Sequence, residues 1–101
     1  MSDFQKIEQH FNNIIENYSK TNQKQAIEFI KIYRGFFSEF VKTNAFIGKE
    51  KDLFKIINEH LSNAFLSPST KFNEKFNDLK FEDAKKIIDE ICDINLNENN
   101  N

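Results

Sequence analysis

Residues 22–43, NQKQAIEFIKIYRGFFSEFVKT, decide the fold. Projected at about 100° per residue, Ala26, Phe29, Ile30, Ile32, Tyr33, Phe36, Phe37 and Phe40 fall within one arc of about 160°. The opposite side carries Lys24, Lys31, Arg34 and Lys42, with Lys20 just upstream and Arg34 the outlier. Glu28 and Glu39 sit on one flank. A periodicity of this kind, with no proline inside it, predicts a two-sided helix that buries an aromatic stripe and solvates a cationic one.

The same spacing continues on either side. Upstream, Phe4, Ile7, Phe11, Ile14 and Tyr18 recur in steps of three and four, and Ser2-Asp3-Phe4-Gln5 fits a capping box, so a first helix is expected from the N-terminus. The polar stretch Ser19 to Gln23 has neither glycine nor proline. A turn with Asn22 capping the next helix is favoured over one continuous helix. Downstream, Thr43 to Lys49 reads as a connection with Phe46 and Ile47 tucked back onto the core. A third helix follows over about 50–66, burying Leu53, Phe54, Ile57, Leu61, Ala64 and Phe65. Ser67-Pro68 suits the cap and first position of a short fourth helix with Phe72, Phe76 and Leu79 on one face. A last helix from about Phe81 buries Ala84, Ile87, Ile88, Ile91 and Cys92, with Glu82 and Asp83 at its positive end.

The expected fold is therefore all-α: a compact antiparallel bundle of four to five helices in one domain, residues 1–94, with a disordered Asn-rich tail over 95–101. Two glycines and one proline in 101 residues leave few turns for a strand-rich alternative. At this length about two-thirds of the unfolded surface is buried on folding, enough for a core without staples. Asn (14), Lys (13), Ile (13) and Phe (12) make up half the chain and all have AT-rich codons, so a single Lys, Asn or Phe is weak evidence for function.

Chemistry is sparse. His10 has Lys6 and Ile14 four residues away, and His60 has Ile56 and Ala64, so neither has a metal-ligand partner on its face. Cys92 lies on an apolar face and reads as a small core residue; one cysteine excludes an internal disulfide framework and a cysteine-rich zinc site. Asp89 and Asp93, with Glu82, Asp83 and Glu90, read as a solvated acidic face, too few convergent oxygens for a hard cation. There is no glycine-rich phosphate loop. No catalytic residue, cofactor or metal is expected. With neither a leader pattern nor a membrane-length apolar run, a cytoplasmic protein is expected.

Tyr33-Arg34-Gly35 resembles, over three residues, the Trp-x-Gly motif of a family of small secreted helical hairpins, with Tyr in place of Trp. That family carries the motif at its hairpin turn. Here it lies inside the strongest helical pattern, and Gly48 and Pro68 interrupt what would be a single second helix, so the hairpin reading is set aside. Gly35 in mid-helix instead suggests that another helix packs closely over it.

Residues 1–51 carry eight basic and six acidic residues, for a net +2; residues 52–101 carry six and ten, for −4. This segregation, beside surplus aromatics, points to a non-catalytic protein that binds another protein (inhibitor, immunity or adaptor type) or pairs as a homodimer. The expected contact residues are Lys20, Lys24, Lys31, Arg34, Lys42, Phe36, Phe37, Phe40 and Phe46. One alternative is nucleic-acid backbone binding through the same cationic face. Another is a lipid or granule surface binder that uses the Phe-rich face of the second helix.

Overall fold

A computed structural model describes residues 3–43, 45–66 and 74–96. Four helices run through them: α1 (Asp3–Ser19), α2 (Lys24–Val41), α3 (Glu50–Leu66) and α4 (Phe81–Cys92). No strand occurs among the described residues. Contacts between neighbours run in opposite senses along the chain. Phe4 and Phe11 meet Phe37 and Tyr33 from α2, while Phe29, Tyr33 and Phe36 meet Phe65, Phe54 and His60 from α3. α1 and α2, and α2 and α3, are thus antiparallel, as their short connections require.

α2 packs against α1, α3 and α4, which makes it the spine. Its apolar arc explains why. Ala26, Phe29, Ile30, Tyr33 and Phe37 are buried, and Ile32, Phe36 and Phe40 pack at the edges. Ile7, Phe11 and Ile14 from α1, Leu53, Phe54, Ile57 and Leu61 from α3, and Ala84, Ile87, Ile88 and Ile91 from α4 complete one continuous core. Its rings meet edge-on or tilted, as aromatic quadrupoles favour.

The connections differ from expectation in instructive ways. α1 and α2 are separate helices, but Asn22 does not cap α2. It takes a left-handed backbone (φ 61°), and Gln23 holds the cap position without a side-chain bond. Asn tolerates that region better than other non-glycine residues, and the turn needs it more than the helix needs a cap. In the second connection Gly48 supplies another positive φ (78°). Phe46 tucks in against Phe40 as expected, whereas Ile47 is 62% exposed. Gly35 is also corrected: a Cβ built there meets nothing within 4 Å, so no helix crosses it closely.

Residues 74–79 bring a further aromatic into the core. Phe76 is buried against Phe29 and Phe65, and Leu79 packs beside it. Gln25 holds this segment to the start of α2: its Oε1 accepts from the Asp78 amide at 2.9 Å and its Nε2 donates to Asn77 at 3.2 Å. Leu96 packs against the core beyond α4. Ser2 of the capping box, the Ser67-Pro68 cap with Phe72, and tail residues 97–101 lie outside the described residues.

Candidate functional site

The nine residues expected to meet a partner do not form one surface. Lys20 is in the turn before α2, and Lys24 and Lys31 are exposed on its outer side. Arg34 is half-buried, and its guanidinium donates to Asn12 on α1 at 3.0 Å, so it serves the α1–α2 seam. Lys42 pairs with Glu39 at 3.2 Å. Both side chains are largely exposed, so that pair is worth little. Phe37 is fully buried, with rings from α1 and α3 around it, and offers a partner nothing. Phe36, Phe40 and Phe46 remain, half-buried at the edge of the core.

Phe36 and Phe40 do come together with residues of α3. They form one bank of a groove whose other bank is Ile56, Ile57 and His60, enclosing about 260 Å³ with an almost wholly apolar lining. The His60 ring stands edge-on to Phe36 at 5.5 Å, and Phe46 stands edge-on to Phe40 at 6.1 Å. Ile56, in the middle of α3, is 44% exposed. Around α2, Lys24 and Lys31 lie roughly 120–140° from Phe36, so they face away from the groove.

Ile56 was absent from the expected face of α3, and the signal was available. It falls about 100° from Ile57 in the same projection, an isoleucine stranded outside its own apolar arc. His60 was read as an isolated histidine. Its place on the groove wall depends on α2 lying antiparallel to α3, which no local pattern states.

A second site lies in the interior. The Tyr33 hydroxyl donates to the Asn58 side-chain oxygen and lies 3.8 Å from Cys92 Sγ, while Asn58 Nδ2 donates to the same sulfur at 3.4 Å. Burial pushes the Tyr33 phenol far above its ordinary range, with the neighbouring thiol adding to the effect. Lys51 closes the end of α4, donating to the carbonyls of Cys92 at 3.1 Å and Ile94 at 2.9 Å. Cys92 is thus half-buried beside polar groups rather than in a purely apolar environment. Its side-chain partners are a phenol and an amide, not a general base, so the cluster fixes α2, α3 and α4 in register without assembling a nucleophile.

On the far side, His10 Nε2 donates to the Glu90 carbonyl at 2.8 Å and the Tyr18 hydroxyl donates to the Glu90 carboxylate at 2.8 Å, tying α1 to α4. Burial, the hydrogen bond to Glu90, and the charges of Glu90 and Asp83 together push the Tyr18 phenol up to about 12. Beside it opens a larger cleft of about 710 Å³. Its charged lining is Lys24, Lys86, Asp78 and Asp83, all exposed and of mixed sign. Ligand sites are usually mostly apolar with a few convergent polar groups, and this cleft is not. Among the described residues no three His, Cys, Asp or Glu side chains gather as metal ligands, and no helix is long and apolar enough to cross a membrane.

The chain matches no protein-family model, no characterised protein and no solved structure.

Proposed function

We propose that this chain is a non-catalytic protein that acts by binding another protein, and that the α2–α3 groove is where it does so. The observation that carries this reading is the groove itself: Phe36, Phe40, Ile56, Ile57 and His60 enclose an almost wholly apolar recess with Ile56 44% exposed at its lip. At about 260 Å³ it is smaller than the roughly 300–1,000 Å³ of drug-sized ligand pockets. It suits one inserted apolar side chain of a partner, the anchor on which many interfaces depend. An inhibitor, immunity or adaptor role fits such a module, in a cytoplasmic setting where an unpaired cysteine is ordinary.

The test is affinity capture from source-cell lysate after nuclease treatment, with the wild type and Ile56→Asp side by side. A protein partner retained by the wild type and lost by the folded variant supports the reading. Partners that vanish with nuclease favour nucleic-acid backbone binding, for which Lys20, Lys24, Lys31 and Lys42 are the exposed cations of the expected face. That interaction would weaken steeply with salt. The lipid or granule reading has less to draw on, because Phe29, Tyr33 and Phe37 of the Phe-rich face are occupied in the core.

A further inference from the structure

We propose that the groove's occupant is a cationic amphipathic helix of a partner protein; this rests on the groove being a protein-binding site and adds the chemistry of what binds. The recess between two antiparallel helices takes one anchor side chain from the apolar stripe of a third helix laid along it. The charges beside it set the sign. On α3, residues four before and three after Ile56 are its surface neighbours; these are Asp52 and Glu59, both exposed and neither with an ion-pair partner among the described residues. On α2, Glu39 stands three residues beyond Phe36, and Glu28 continues the same flank two turns earlier. Within these two helices the nearest lysines, Lys31, Lys42 and Lys55, lie roughly 40–80° further round than these carboxylates, and the Lys42–Glu39 pair cancels, leaving Asp52, Glu59 and Glu28. A ligand helix seated on Ile56 therefore meets carboxylates first on either side. Lys or Arg flanking its apolar stripe would be paired there, while Glu or Asp would be repelled, which selects partners more than it adds affinity.

The experiment uses the intact chain and a panel of helical peptides sharing Leu- and Ile-rich apolar faces, each made with Lys flanks and with Glu flanks. Binding is read by fluorescence anisotropy and by chemical-shift changes at Ile56 and His60. The expected result is at least tenfold tighter binding of the Lys-flanked forms, with the preference shrinking several-fold in Asp52→Asn/Glu59→Gln and binding lost in Ile56→Ser. Circular dichroism of each variant separates a lost contact from a lost fold. Equal affinity of the two flank types, with shifts still centred on Ile56, overturns the cationic assignment but leaves the groove reading intact. No binding of any peptide at these residues overturns both. Light scattering that finds a dimer abolished by Ile56→Ser places a second copy in the groove instead and overturns the proposal.

Discussion

Gly35 shows how a single position separates local cost from tertiary need. It lies inside α2, exposed, with open space where a Cβ would project and a backbone any residue can adopt. Nothing in the packing requires glycine, so the entropic cost of glycine in a helix is uncompensated there. Gly35→Ala is expected to stabilise the protein by about 0.5–1 kcal/mol, read as a higher urea midpoint with an unchanged slope. Tyr18 makes the complementary case for an ionisable group. Its phenol, pushed up to about 12 from an ordinary 10, is favoured in its neutral form by the fold. The stabilisation is fully present below about pH 10. It is lost as pH rises from there through about 12, because the unfolded chain releases its proton first. Urea midpoints measured across that range should fall more steeply for the wild type than for Tyr18→Phe. Equal slopes would mean that the fold does not hold the Tyr18 phenol above its ordinary range.

At the scale of elements, the helices were legible and their junctions were not. The arc from Ala26 to Phe40 identified α2 as the spine because one long stripe can be buried only if several partners cover it. The polar bonds between elements could not be read in that way. Gln25 and Asp78, Tyr33 and Cys92, and Lys51 and Ile94 are far apart in sequence, and each side chain is unremarkable in its own helix. The candidate site divides along the same line: Phe36 and Phe40 were visible as surplus aromatics, but Ile56 and His60 gain meaning only from the α2–α3 register. Of these junctions, Lys51 gives the clearest test. It places a cation at the negative end of α4 and hydrogen-bonds the carbonyls of Cys92, its last residue, and of Ile94 just beyond it, while lying 5.8 Å from the Phe54 ring centre. Lys51→Met keeps most of the stem and removes the charge. It is expected to cost about 1 kcal/mol. Amide exchange of Asp93, whose N–H closes the last turn on Asp89, should accelerate while that of α1 does not.

At the scale of the whole molecule, the aromatic load joins the four described helices through one core. Phe37 touches Phe4 and Phe11 of α1 and Phe54 of α3, so its ring is shared by three elements. Phe37→Ala is expected to cost about 3–5 kcal/mol, against a total stability of roughly 5–15 kcal/mol for a domain. For a chain of this size the midpoint of thermal unfolding should drop by at least ~12 °C in a single transition seen alike by far- and near-ultraviolet dichroism. A variant that loses α1 first, leaving the rest folded, would contradict this account of the core. The same rings give the chain a built-in optical gauge. It has no tryptophan, and the Tyr33 ring lies 5.7 Å from Phe11 and 6.2 Å from Phe54. Light absorbed by phenylalanine is therefore passed to tyrosine and re-emitted at its longer wavelength while the interior is intact. Disruption of the packing raises the phenylalanine emission directly, so assembly of this protein can be followed without any label.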